Sequence, residues 1–262
     1  MDDIRSPFAA APSPGAASSR ALSVEGHFIP FAFPGAPHVG CAFTTALAGT
    51  MSLVSQQAGD NAAANRRRIM ARLGIGRWAE FRQVHGTVFL VEPEPSDADA
   101  PPTVEADGGC TNRKGLALLI KTADCQPVLF TDRAGTAVAA LHAGWRGNAA
   151  DYPAVGLARF CEAYGIAPED VLAVRGPSLG PGAAEFVNFA REWPPKFAPW
   201  FDAERRVMDL WSLLKHQLVE AGMLPEHIFG LDLCTWSLPE LFFSHRRGHT
   251  GRQLSVIWLK EN

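Results

Sequence analysis

A chain of 262 residues, 47% hydrophobic and 19% charged, has the make-up of a globular protein able to bury a substantial core. Its formal charge of −3, from 24 basic and 27 acidic side chains with no extended basic block, argues against a nucleic-acid partner. No apolar run is long enough for a membrane span, and five cysteines without a CxxC pair point to a reducing, cytoplasmic setting rather than a disulfide framework.

Residues 1–25 are rich in Ala, Pro and Ser and lack the basic start and continuous apolar stretch of a secretion signal. They read as a disordered tail before a single domain over residues 26–262. The apolar segment 38–45 suits a strand. Asp60 or Asn61 can cap a helix running to Leu73, with Gly74 as its stop. Residues 81–91 read as a strand, a turn at His85-Gly86 and a second strand from Thr87. The acidic, Pro-rich stretch 92–106 reads as an exposed loop. Three apolar runs of strand length follow, 116–120, 127–130 and 136–141, and their composition suggests a sheet covered on both faces. A helix is expected over 148–164 with Gly165 as its stop, then a strand at 171–174 and a Gly/Pro loop at 176–182. Asp209 caps a further helix with Leu210, Leu213, Leu214 and Leu218 on one face and Gly222 at its end. Strands at 228–234 and 254–259 close the chain. Strands and helices mixed without strict alternation predict an α/β (mixed α+β) layered domain.

Phosphate-loop, HExxH, GxSxG and CxxC motifs are absent. Polar residues gather instead where strands end: Gln83-Val84-His85-Gly86, Thr122-Ala123-Asp124-Cys125 and His142-Ala143-Gly144-Trp145-Arg146-Gly147. Such positions suit ligands, because a rigid sheet holds them in place. Two imidazoles and a thiolate suit zinc, and three protein ligands leave a fourth position for water or substrate, as in catalytic sites. His85, Cys125 and His142 are thus candidates both to hold Zn2+ and to act in catalysis. Spacing alone leaves each of them open as an ordinary core or surface residue.

The stretches QVHG (83–86), ADG (106–108), TADCQPVLF (122–130), HAGWRG (142–147), GPSLG (176–180), Cys234-Thr235, FFSHRR (242–247) and Gly251-Arg252 occur together and in order. In this the chain resembles the laccase-domain family, from about residue 38 to its end. That family was once described as multicopper polyphenol oxidoreductases and is now regarded as zinc-dependent purine nucleoside phosphorylases, some bacterial members being described as peptidoglycan editing factors. The resemblance implies zinc ligands at His85, Cys125 and His142 and a layered α-β-β-α fold of mixed sheets. It also implies phosphorolysis of adenosine, inosine or methylthioadenosine, with deamination of adenosine to inosine, so that the partners are a purine nucleoside and phosphate.

Arg146, Arg246 and Arg247 are candidate anion binders, because guanidinium pairs phosphate bidentately; a surface ion pair is the alternative for each. Asn65, followed by Arg66, resembles the family's Asn-Arg pair and is a candidate pocket residue. Asp124 and Gln83 are candidates to orient ligands or accept a proton. The GPSLG loop offers backbone N–H groups to an anion or forms a plain tight turn. Two positions depart from the family: Thr45 stands where an arginine near the pocket is usual, and His245 where tyrosine is usual. Two further functions compete with the phosphorylase: a Cys-His amide hydrolase acting on cell-wall precursors, and a non-enzymatic zinc-containing binding protein.

Overall fold

The computed structural model describes residues 26–54 and 61–261. The tail expected over residues 1–25 and the alternative helix cap Asp60 lie outside the described residues. The strands are β1 (Phe28–Pro30), β2 (Val39–Thr44), β3 (Arg77–Glu80), β4 (Phe89–Val91), β5 (Gly108–Thr111), β6 (Leu116–Thr122), β7 (Gln126–Asp132), β8 (Val138–Ala143), β9 (Val171–Arg175), β10 (Phe201–Asp202), β11 (Val207–Met208), β12 (Ile228–Gly230) and β13 (Gln253–Leu259). The α-helices are α1 (Ala62–Leu73), α2 (Trp145–Ala149), α3 (Tyr152–Tyr164), α4 (Phe189–Glu192) and α5 (Leu210–Glu220).

Two mixed sheets carry the fold. One has the order β1-β2-β13-β6-β3 and the other β12-β9-β7-β8-β5-β4. Within each the inner pairings are antiparallel, and parallel pairs stand at the margins: β3 with β6, β12 with β9 and β4 with β5. The two-residue alternation of strand side chains sorts the apolar residues into layers. Cys41 and Phe43 of β2, Leu118 and Ile120 of β6, Leu129 of β7, Ala140 of β8 and Ile257 of β13 share one core, the filling between the sheets. The intervening residues Ala42, Leu119 and Val256 pack with Ile69 of α1. Val128, Phe130 and Leu141 pack with Leu157 and Phe160 of α3 and Leu214 and Leu218 of α5. Both sheets are thus covered on both faces, giving an α-β-β-α sandwich.

The helix ends follow their side chains. Asn61 accepts a hydrogen bond from the Ala64 N–H at 3.1 Å, and Gly74 closes α1 in the left-handed region at φ 68°. Asp209 caps α5 by accepting from the Ser212 N–H at 3.0 Å.

Several elements differ from expectation. Residues 81–88 are no hairpin, because β3 and β4 belong to different sheets and this segment crosses between them. The helix expected over 148–164 is two helices. The ring of Pro153 bars a continuous helix through 149, and Asp151 takes up the break at φ 55°. The stretch 92–106 is tied down rather than free: Ser96 donates to the Trp78 carbonyl at 2.7 Å, and Arg82 to that of Val104 at 2.9 Å. Strand β12 is shorter than the 228–234 expected, and Asp232 leaves the extended conformation at φ 51°.

Candidate metal centre

The crossovers from β3 to β4 and from β6 to β7 both pass from one sheet to the other, and they carry His85 and Cys125. His142 comes from within β8, on the face that also presents Val138 and Ala140 to the core between the sheets. Pairing of Pro127 with His142 and of Gln126 with Ala143 brings Cys125 alongside Gly144. His85 at φ 59° and Asp124 at φ 88° make the sharp turns that aim the two crossovers at each other. Candidate ligand atoms of His85, Cys125 and His142 consequently lie within 4.8 Å of one another. The two imidazoles meet edge to face, with centroids 4.7 Å apart at 75°. Gly144 is required here: a Cβ on it would stand 2.9 Å from His85 Cδ2 and 3.3 Å from Cys125 Sγ.

Asp107, fully buried one residue before β5, organises this corner. Its carboxylate accepts from the backbone N–H groups of Val84, His85 and Gly86 at 3.3, 2.9 and 2.7 Å, and it pairs with His142 Nδ1 at 2.8 Å. Burial would raise its pKa, but these hydrogen bonds outweigh burial and hold the carboxyl below its usual range. With Nδ1 engaged by Asp107, Nε2 of His142 is the nitrogen left for a ligand. Burial alone would raise the Cys125 thiol; His142 and His85 overcome this and bring it down to about 6. Burial would lower His142, but the Cys125 thiolate and Asp107 push it up to about 9. The corner therefore favours a thiolate flanked by imidazoles, the donor set of a borderline-soft divalent metal.

These three residues line a cavity of about 530 Å³, together with Phe81, Lys121 and Arg252 among others. Arg252 is a residue to which the sequence assigned no role, although it stands in the quoted Gly251-Arg252 pair. Of the other sequence candidates Gln83 also lines this cavity, and the rest lie elsewhere. Arg146 is exposed and stacks on Trp145, 4.4 Å from the ring centroid. Arg246 donates to the Glu185 carbonyl at 3.0 Å, and Arg247 to the carbonyls of Thr235, Trp236 and Phe242. Asn65 donates to the Thr50 carbonyl at 3.1 Å and packs on the turn at Gly49, fastening α1. Arg146, Arg246 and Asn65 are therefore not brought to the wall of the triad's cavity among the described residues.

Asp124 accepts from Thr235 Oγ1 (2.7 Å), Ser244 Oγ (3.0 Å) and the Arg246 N–H (2.8 Å), so it anchors the C-terminal loops and not a ligand. Gln83 clamps both backbone groups of Lys121, at 2.8 and 2.9 Å, and so joins the His85 crossover to β6. In the GPSLG loop the N–H groups of Gly176, Ser178, Leu179 and Gly180 go to Pro127, Leu233, Asp124 and the Cys234 sulfur. That loop is a tight turn with those donors already used. Thr45 is buried and donates to the Gly26 carbonyl. His245 is exposed at the cavity rim.

The class these features define is a helix-flanked double-sheet protein with a three-donor centre at the seam of its sheets. The chain belongs to the family described as multi-copper polyphenol oxidoreductase laccase, whose model matches residues 47–260. Escherichia coli purine nucleoside phosphorylase YfiH is 37% identical over 211 residues, covering 76% of this chain and 82% of that protein. Among solved structures, YlmD from Geobacillus stearothermophilus superposes with a TM-score of 0.75 at 26% identity, over 90% of this chain and 97% of that one. A Neisseria meningitidis protein gives 0.74 at 28% identity, over 90% of this chain and 100% of its own.

Proposed function

We propose that the protein is a zinc-dependent purine nucleoside phosphorylase of the cytoplasm. Its substrates are adenosine, inosine or methylthioadenosine together with phosphate, and it deaminates adenosine at the same centre. The observation that carries this reading is the convergence of His85, Cys125 and His142 on one wall of a 530 Å³ cavity. Relatives bearing the name purine nucleoside phosphorylase support it at up to 37% identity.

The donor set fits zinc: two nitrogens and one sulfur, with Asp107 fixing the tautomer of His142 and Gly144 leaving room for close approach. Bound there, zinc supplies Lewis acidity and lowers the pKa of water to roughly 7. The chain's own residues do the rest. Asp107 keeps His142 in register, Phe81 contributes apolar lining, and Lys121 and Arg252 bring positive charge to the same cavity, as a departing or attacking anion requires. A multi-copper reading has little support, because His85, Cys125 and His142 are the one such ligand group among the described residues. No helix of the described residues is long and apolar enough to cross a membrane.

Incubating the zinc-loaded protein with each nucleoside, with and without phosphate, and separating free base from deaminated nucleoside tests the proposal. Phosphate-dependent base release that Cys125→Ala abolishes is the expected result, and turnover of none of the three at full zinc occupancy would refute it.

One observation favours a second reading. Cys125 held down to about 6 beside His142, itself backed by Asp107, is also the layout of a cysteine nucleophile with a general base, suited to an amide hydrolase acting on cell-wall precursors. Activity that survives chelation but not thiol alkylation would favour it; loss on chelation favours zinc.

A further inference from the structure

Among the described residues, the cations at and behind the cavity outnumber the acids paired with them. Arg66, with 1% of its side chain exposed, and Lys121, with 12%, both pair with the single carboxylate of Glu80, at 2.8 and 3.0 Å. One anion thus serves two cations, and the cluster keeps a net positive charge. Arg66 is further committed to the Met51 carbonyl at 3.3 Å and to the face of Trp78, 4.8 Å from its centroid. Lys121 is the member that reaches the cavity wall shared with the triad. Gln83 fixes its backbone on both sides, so its position is set by the same segment that delivers His85.

Arg252 lines the same cavity. Its guanidinium donates only to carbonyl oxygens among the described residues: Thr250 and Gly251 at 2.8 Å and His249 at 3.4 Å. The negative groups whose field reaches it are Cys125 and Asp124. Cys125 belongs to the triad, and the oxygens of Asp124 accept from Thr235, Ser244 and Arg246. Among the described residues these two partly buried cations of one cavity lack a full complement of acids, which calls for an anionic occupant, since unpaired buried charge is costly.

We infer that Lys121 and Arg252 together form a phosphate-group subsite beside the His85–Cys125–His142 centre. The inference rests on the phosphorylase reading for its substrate, but the subsite can be tested without turnover. Inorganic phosphate and the 5′-phosphate of a nucleotide offer the same chemistry, so both serve as probes.

Lys121→Met is the discriminating variant: it removes the charge, keeps an unbranched stem and leaves Arg66 and Glu80 as a balanced pair, so the fold is expected to hold. Binding of inorganic phosphate and of adenosine monophosphate to the zinc-loaded protein would be followed by phosphorus NMR and calorimetry. Zinc content and melting temperature would be measured in parallel, with exposed Lys114→Met as the control. The expected result is phosphate binding weakened about tenfold or more in Lys121→Met and in Arg252→Gln, restored in Lys121→Arg, with zinc content unchanged. A loss seen for adenosine monophosphate alone would keep the subsite and assign it to nucleotides. Wild-type binding in Lys121→Met, or no binding of either probe to the wild type, would overturn the inference. If binding behaves as expected while no nucleoside is cleaved, the subsite stands and the phosphorylase reading falls.

Discussion

Asp107 and His142 are bonded to each other twice: His142 Nδ1 meets the Asp107 carboxylate at 2.8 Å, and the His142 backbone N–H donates to the Asp107 carbonyl at 2.7 Å. The same carboxylate accepts from the backbone of Val84, His85 and Gly86, so one side chain fixes the orientation of one candidate ligand and the loop of another. Asp107→Asn weakens zinc binding by about 10–100-fold, the usual cost of losing a partner behind a metal-bound histidine. Titration against a competing chelator measures this, and an unchanged affinity would remove Asp107 from the account.

Gly144→Ala places a methyl group 2.9 Å from the His85 ring and 3.3 Å from Cys125 Sγ. The imidazole of His85 is exposed and swings aside more readily than strand β8 shifts, so the expected loss is of bound metal, with the melting temperature little changed. Metal analysis and thermal unfolding of the same preparation separate the two effects.

The metal-free protein carries a pH signature. Cys125 has its pKa depressed from 9.0 to about 6, so its contribution to stability is present above 9.0 and lost as pH falls through about 6. His142 has its pKa raised from 6.5 to about 9, so its contribution is complete below 6.5 and lost as pH rises through about 9. Their mutual attraction is therefore present from about pH 6 to about pH 9. Alkylation of Cys125 in the metal-free protein should show a midpoint near 6, and saturation with zinc should suppress it. A midpoint at the ordinary thiol value would contradict this electrostatic arrangement.

The sequence marked the three clustered residues by residue type, in QVHG, TADC and HAGWRG, although His142 lies within β8 and His85 midway along a crossover rather than at a strand end. It exposed the main strands because β6, β8 and β13 and the centre of β7 are largely apolar and buried on both faces. It hid β5, which opens on Gly108-Gly109 and carries no strand signal, since those glycines leave room for Tyr152, Phe81 and the neighbouring backbone. The sheet crossover at 81–88 looked like a hairpin, because local sequence does not say which sheet a strand joins. Asp107 was visible only as part of ADG: its partners His85 and His142 lie 22 and 35 residues away, and that pairing is a property of the sheets. Arg146, Arg246 and Asn65 were chosen for their chemistry, yet chemistry does not reveal that Trp145, Glu185 and Thr50 are their partners.

Glu80→Ala leaves Arg66 and Lys121 without their shared counter-ion in a nearly solvent-free position. The expected destabilisation is about 3–5 kcal/mol. Asp99→Ala, which breaks a pair with Arg67 whose side chains are 58% and 57% exposed, costs less than about 1 kcal/mol. Denaturant unfolding of the two variants side by side checks the contrast.

The most direct measurement is the zinc content of the purified protein and of His85→Ala, Cys125→Ala and His142→Ala, each prepared with excess zinc and then desalted. Stoichiometric zinc is expected in the wild type and a sharp loss in every variant, with the fold retained by circular dichroism. Zinc retained at the wild-type level in all three variants would contradict their assignment as ligands.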